Sequence, residues 1–282
     1  MRRYLIIIIS FLVSVNALPQ TFSYQNSIGK FKKATAFTVS PEGAIYVSDA
    51  ASDEIFKLDT LGNIVKYVGG YGWDEGDFDR PVDIFANPLS VYVSDKNNHR
   101  IQKFDKDLNF ISLLFTREDD NKDEHFGYPL SAVTSNQGDL FILDSENKRI
   151  IKFDLFGNFV MNFGGFDAGA CALSVPKKMV VSQSNNLYVL DDKRIIEFDQ
   201  YGNGLNSIPA DIDFKCITLV FDNMMLNTDR QMVMTNLKSP GFKFGTVKTD
   251  DANLQEPVVS SLLFNGRLYV LTPVEIRIYK LE

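Results

Sequence analysis

Few side chains in this 282-residue sequence could do covalent or metal chemistry, and their spacing narrows what they can do. The only histidines are His99 and His125, and the only cysteines are Cys171 and Cys216. A zinc site takes several nitrogen or sulfur ligands, and two separated histidines with two distant cysteines do not build one. Neither histidine stands in a recognisable nucleophilic triad with a serine motif. Aspartates recur as Asp49, Asp95, Asp144 and Asp191, followed by arginines at Arg100, Arg149 and Arg194. Such recurrence reads as a structural tie, a charge-assisted bond made once per repeat, and not as a catalytic pair. The run from Glu118 to Glu124 is acidic but lacks EF-hand spacing, so it reads as a solvated loop. Calcium held by oxygens from separate strands is the one cofactor left open; no catalytic residue and no metal ligand is assigned.

Binding chemistry is better represented. Lys33, Arg80, Lys177, Lys178 and Lys215 all fall at or just before the first strand of a repeat. Acidic residues surround them in the preceding loops, among them Asp74, Glu75, Asp77, Asp79, Asp211, Asp213, Asp250 and Asp251. A basic collar inside an acidic rim either seats an anion or pairs with its own rim. The same loops carry Tyr71, Trp73, Phe78, Phe126, Tyr128 and Phe166. Loop aromatics anchor peptides or stack on sugars, or else pack the loop onto its scaffold. The expected ligand-binding set is Tyr71, Trp73, Arg80, Tyr128, Lys33, Lys177, Lys178 and Lys215.

The elements that position these residues repeat about every 46 residues. YVSDAASDEIFKLDTLGN (46–63) aligns with YVSDKNNHRIQKFDKDLN (92–109), FILDSENKRIIKFDLFGN (141–158) and YVLDDKRIIEFDQYGN (188–203). Weaker copies are MMLNTDRQMVMTN (224–236) and LYVLTPVEIRIYK (268–280). Each unit reads as four short strands, a to d, with Val, Ile, Phe and Tyr in the strands and Gly, Asn and Asp in the turns. The expected fold is all-β, a six-bladed β-propeller of four-stranded blades. The blades span about residues 30–70, 79–115, 128–164, 175–208, 214–248 and 257–282. The last unit stops after strand c, so residues 21–28 are expected to supply its fourth strand and close the ring. The short a–b and c–d turns share one face of this propeller. The long d–a loops and the b–c turns share the other, where a rigid scaffold with variable loops favours binding.

Arg2 and Arg3, the apolar run from Tyr4 to Val15 and the Val15-Asn16-Ala17 site read as a signal peptide over residues 1–17, cleaved after Ala17. The run is too short to span a membrane, and no later segment could. The mature chain, residues 18–282, is expected to be one domain, a monomeric propeller secreted or periplasmic. It would carry a formal charge of −9, from 27 basic and 36 acidic residues. That balance repels phosphate backbones, so nucleic acid is not an expected partner. Export permits a disulfide between Cys171 and Cys216; two separately buried thiols are the alternative.

The stretch GGYGWDEGDFDRPVDIF (69–85) followed by YVSDKNNHRIQKFD (92–105) resembles the NHL repeat: a glycine-rich lead-in, F-x-x-P, then D-x-x-N-x-R-I-x-x-F. Units 1, 3 and 4 match well, unit 5 keeps little beyond Arg230, and unit 6 has Thr272 for the motif aspartate. The resemblance implies the propeller fold, makes His99 a structural motif residue, and implies a module that binds a protein, peptide or glycan. Some members of the family bind RNA through a strongly basic face, which this chain lacks. One is a zinc-dependent lyase whose histidine ligands are missing here. Metal-assisted hydrolysis or lyase chemistry at the channel mouth is the alternative.

Overall fold

Each repeat folds as an antiparallel meander because its apolar runs are punctuated by turns with their own hydrogen-bonding side chains. The computed structural model describes residues 17–239, 241–251 and 254–282. Apart from Ala17, the expected signal peptide lies outside the described residues. A first strand, β1 (Ala17–Ile28), precedes the repeats. Blade 1 contains β2 (Ala34–Val39), β3 (Ile45–Asp49), β4 (Glu54–Leu58) and β5 (Ile64–Gly69). Blade 2 contains β6 (Pro81–Ala86), β7 (Ser90–Asp95), β8 (Arg100–Asp105) and β9 (Phe110–Leu114). Blade 3 contains β10 (Pro129–Thr134), β11 (Leu140–Asp144), β12 (Arg149–Phe153) and β13 (Phe159–Phe163). Blade 4 contains β14 (Pro176–Val181), β15 (Leu187–Asp191), β16 (Arg194–Phe198) and β17 (Gly204–Pro209). Next come β18 (Cys216–Val220), β19 (Asn223–Asn227), β20 (Met232–Asn236) and β21 (Gly245–Thr249). The chain ends with β22 (Ser260–Phe264), β23 (Arg267–Leu271) and β24 (Ile276–Leu281).

The expectation of six separate four-stranded sheets needs correction. Blades 1 to 4 are four-stranded sheets, but the fifth and sixth units form one eight-stranded sheet, β18-β19-β20-β21-β1-β24-β23-β22. The cause is the length of β1. Its second half pairs antiparallel with β24, from Phe22–Leu281 to Ile28–Ile276, and so completes the last unit as expected. Its first half continues outward and pairs parallel with β21, from Ala17–Gly245 to Phe22–Thr249. Two sheet edges are thereby hydrogen-bonded to one strand, which leaves neither open for intermolecular pairing. The innermost strands β2, β6, β10, β14, β18 and β22 touch in cyclic order, β22 meeting β2.

Apolar clusters lie between neighbouring blades. Tyr46, Ile55, Phe78 and Phe104 fill the space between blades 1 and 2, and Phe22, Met225, Val247 and Tyr279 that between the two halves of the eight-stranded sheet. Strands buried on both faces explain why their sequences are continuous apolar runs and not alternations. The c–d turns share one device. The Asp59, Asp105, Asp154 and Asp199 carboxylates each accept a backbone N–H and the side-chain amide of the asparagine four residues on. In blade 2, Leu108 takes the left-handed position, at φ 57°, that glycine fills in the others.

Candidate functional site

The recurring aspartates close strand b and fasten the loop that leads into their own blade. Asp95 Oδ1 accepts the Asp79 N–H, and Asp144 Oδ1 the Gly127 N–H. Asp191 Oδ1 accepts the N–H groups of Ser174 and Val175, and Asp49 those of Lys32 and Lys33. Arg100 pairs with Asp95 at 2.8 Å and Arg194 with Asp191 at 2.8 Å, while Arg149 stands 3.5 Å from Asp144. Blade 1, with Glu54 at the arginine position, holds its loop by Asp49 and by backbone bonds such as Phe31 N–H to Val274 O; in the last unit Thr272 Oγ1 accepts from Val274 and Glu275 instead. Burial pushes the Asp95 carboxyl above its ordinary pKa against the pull of these donors.

Blade 2 carries this device furthest. Arg100 donates to the carbonyls of Trp73 (2.5 Å), Asp74 (3.0 Å) and Asp77 (2.8 Å). Gln102 donates to Asp77 O and accepts from Gly76 N, and Asn98 donates to Gly72 O. The Gly69–Arg80 loop is thus bonded from beneath, with Phe78 wholly buried as its plug. Above that frame Tyr71 is 78% exposed and Trp73 60%. Trp73 is steadied by the edge of Phe115, 6.2 Å away, and by the Arg100 guanidinium 5.6 Å from its ring centre.

Tyr128 stands beside this loop. Its backbone, at φ 49°, places its ring edge-on to His99 at 4.2 Å. His99 Nδ1 accepts from the Tyr128 N–H (3.1 Å) and from Arg117 (3.0 Å), which requires a neutral ring with its proton on Nε2. Partial burial and the nearby Arg117 charge hold the His99 pKa below the ordinary imidazole value, while Glu146 works the other way. Phe126, grouped with these aromatics by sequence, is fully buried, and Phe166 is 98% exposed on a separate loop.

Three of the five collar residues, Lys177, Lys178 and Lys215, line one mouth of the channel, and each is already paired. Lys178 on β14 reaches across the channel to Asp83 on β6, 2.8 Å away, with 14% and 5% of the two side chains exposed. Burial disfavours the Lys178 charge, but the Asp83 carboxylate outweighs it and holds the ammonium above its ordinary pKa. Lys177 pairs with Asp213 and also donates to the carbonyls of Asp192 and Phe214. Lys215 pairs with Asp229 at 2.8 Å, both exposed. Lys33 and Arg80 are exposed, and Arg80, at φ 61°, is anchored by its own N–H on Asp53. A cavity of about 330 Å³ remains at this mouth, bounded by Asp83, the three paired lysines and Val258.

The disulfide left open by sequence is not formed: both cysteines are free. Cys171 packs over Gly204 on the outer strand β17 of blade 4. Cys216 begins the innermost strand β18 and stands 3.4 Å from Ser260 Oγ. One thiol is on the rim and the other beside the channel, although both loops open on the same face. Sequence reasoning also passed over the opposite mouth. There a cavity of about 640 Å³ is lined by the a–b turns of blades 1 to 5 and by Phe264. Short turns gave no reason to look there; the signal available was two large apolar residues, Leu89 and Phe221, at turn positions.

No family model matches the chain. It is 34% identical over 143 residues to Protein brain tumor of Drosophila melanogaster, covering 49% of this chain and 13% of that protein. It is 31% identical over 139 residues to B-box type zinc finger protein ncl-1 of Caenorhabditis elegans, covering 48% and 16%. Both relatives are NHL-repeat proteins, and the matched stretch is a small part of their length. Among solved structures, virginiamycin B lyase from Staphylococcus aureus superimposes with a TM-score of 0.61 at 12% identity, over 91% of this chain and 99% of that one. The extracellular domain of a hybrid two-component system from B. thetaiotaomicron superimposes with a TM-score of 0.59 at 12% identity, over 88% and 34%. These likenesses establish an all-β, propeller-like fold.

Proposed function

We propose that this chain is an exported NHL-type propeller that binds a protein, peptide or glycan through its d–a/b–c loop face. The observation that carries this reading is the blade 2 loop: two exposed aromatics on a backbone tied down by the buried Arg100, Gln102 and Asn98. Large rings presented without loop ordering on binding are the usual anchors of an interface. The NHL-repeat relatives support a role as a protein-binding propeller. The formal charge of −7 argues against a phosphate backbone as partner. Lys33 and Arg80, both exposed on the loops of this face, offer cations to an acidic group of the partner, so binding should weaken with salt.

The test is capture of partners by the mature chain from the secreted or envelope fraction of its own source, followed by titration of wild type and Trp73→Ala. Trp73 is 60% exposed, so the variant should keep its melting temperature, while affinity should fall about tenfold or more. A lower melting temperature with unchanged affinity would return Trp73 to a packing role. Export is checked by the N-terminal residue of the secreted protein, expected to be Leu18. A second reading, metal-assisted lyase or hydrolase chemistry at the charged mouth, is favoured by the full-length likeness to virginiamycin B lyase, which is a likeness of fold. A divalent ion at one per chain after purification, lost in Asp83→Asn, would support it.

A further inference from the structure

The cavity on the a–b turn face differs chemically from the rest of this acidic chain. Among the described residues its wall has no aspartate or glutamate and one cation, Lys103, whose ammonium lies 5.6 Å from the centre of the Tyr92 ring. A narrower throat of about 60 Å³ shares Phe85, Val181 and Leu219 with it, continues inward between Phe37, Val133 and Met179, and reaches the paired Asp83 and Lys178. The mouth therefore carries a single cation, is otherwise polar at the rim, and is apolar along the throat down to that ion pair.

The turns that form the rim are unequal. Their left-handed positions are Gly43 in blade 1, Gly138 in blade 3, Asn185 in blade 4, and Asn265 and Gly266 in the last unit. In the fifth unit the same position is Phe221, at φ 54°. A bulky aromatic residue is disfavoured there, and such strain collects where a side chain has a task. Phe221 is 48% exposed and stacks on Phe264 with ring centres 6.2 Å apart. In blade 2 the turn carries Leu89, 79% exposed, fixed by its N–H on Asn87 Oδ1 at 2.9 Å. The second and fifth units are three steps apart either way round the ring, so Leu89 and Phe221 face each other across the mouth. Between them Gln137 Oε1 accepts from Asn185 Nδ2 at 2.9 Å, and Gln183 lines the same wall.

We propose that this mouth seats an uncharged stretch of polypeptide bearing one large apolar side chain. The side chain enters the throat between Leu89 and Phe221, and the flanking main-chain amides bond Gln137 and Gln183. A wall without carboxylates in a chain with 36 acidic residues neither attracts nor needs a cation, and one lysine is too little for a polyanion. A sugar would bury hydroxyls against the apolar wall of the throat, whose ion pair is already satisfied within itself, and each hydroxyl left unbonded disfavours it. The site is on the face opposite Trp73 and does not depend on the reading of that face.

The experiment is an NMR titration of the isotope-labelled protein with four probes: N-acetyl-leucinamide, N-acetyl-phenylalaninamide, N-acetyl-glutamic acid amide and maltotriose. The first two should shift the amide signals of Leu89, Gln137, Gln183 and Phe221 saturably, and the glutamyl probe should bind about tenfold more weakly or not at all. Leu89→Asp and Phe221→Asn should each weaken the apolar probes about fivefold or more. Phe221→Asn should meanwhile melt within about 3 °C of wild type, because asparagine accepts the left-handed backbone. Should that variant melt lower, Leu89→Asp, made at an exposed side chain, still decides the question. The proposal is overturned by no saturable shift, by equal binding of all four probes, by binding of maltotriose alone, or by unchanged affinity in Leu89→Asp.

Discussion

The two mouths of the channel are formed by opposite ends of the same six inner strands, yet they are chemically unlike. One gathers Lys177, Lys178, Lys215, Asp83 and Asp229 beneath long, varied loops. The other is ringed by short turns and carries amides, aliphatic side chains and aromatic rings around a single lysine. The charged mouth attracts notice in sequence, but its charges largely satisfy one another, and Lys178 finds its carboxylate two blades away. The mouth without carboxylates hides in sequence because turns are expected to be small and polar. What marks it is where that expectation fails, at Leu89 and Phe221. The difference teaches that a cluster of charges is evidence for a ligand only once its internal partners are known, and that apolar side chains on short turns become informative when they line one cavity together.

The largest expected effect removes both mouths together. Deleting residues 17–28 takes away the strand that joins β21 to β24 and exposes the partners of Phe22 and Ile28, 1% and 8% exposed. Lost burial alone costs about 1.5–3 kcal/mol for each such side chain, before two unpaired sheet edges are counted. The truncated chain should melt far lower or self-associate, as read by thermal unfolding and light scattering. A truncated monomer with the wild-type melting temperature would mean that the ring does not need β1.

A smaller effect should separate the mouths. Lys178→Met strands the buried Asp83 carboxylate and should destabilise by about 3–5 kcal/mol in denaturant unfolding. Asp83→Leu added to Lys178→Met should restore most of that, since a buried pair is replaceable by apolar side chains. Lys215→Ala, at an exposed pair, should leave the unfolding midpoint where it was. If Lys178→Met were as mild as Lys215→Ala, the charged mouth would be open to water and available to ligands, and the contrast drawn above would fail.

The smallest effect is a pH dependence on the loop face. His99 in the folded chain has a pKa below the ordinary value of 6.5, so folding favours its neutral form. The stability it contributes is complete above the unfolded pKa and is lost as pH falls through the lower folded value. The melting temperature should therefore decline as pH drops below about 6.5, and His99→Gln should flatten that part of the curve. An identical profile in the variant would assign the decline to other groups. Binding through Tyr128, whose ring rests on His99, should weaken over the same interval while the a–b turn mouth is unaffected.

How much was legible in the sequence varies with how local the cause is. The c–d turns could be read because one aspartate and one asparagine, four residues apart, contain the whole motif. Strands β12 and β13 flank such a turn, and apolar runs bounded in this way leave little choice of boundary. The burial of Phe78 and the exposure of Trp73 followed from the repeat register, which assigns one position to the plug and none to the other. Closure by residues 21–28 followed from a strand missing in the last unit.

Other features depend on residues far apart in the chain. The parallel pairing of β1 with β21 joins positions more than two hundred residues apart, and no local pattern distinguishes a strand that stops at the rim from one that continues past it. The pairing of Lys178 with Asp83, the separation of Cys171 from Cys216 and the opposition of Leu89 and Phe221 are all set by how the blades are arranged around the ring. The sequence by itself determined the repeat, its strands, its turn chemistry and the face on which each loop emerges, because those rest on interactions within a few residues or within one blade. The tertiary structure alone decided which charges are neutralised, where two sheets become one and which mouth has no carboxylate in its wall. Those outcomes depend on distances across the channel, which closing the ring sets and the spacing within a repeat does not.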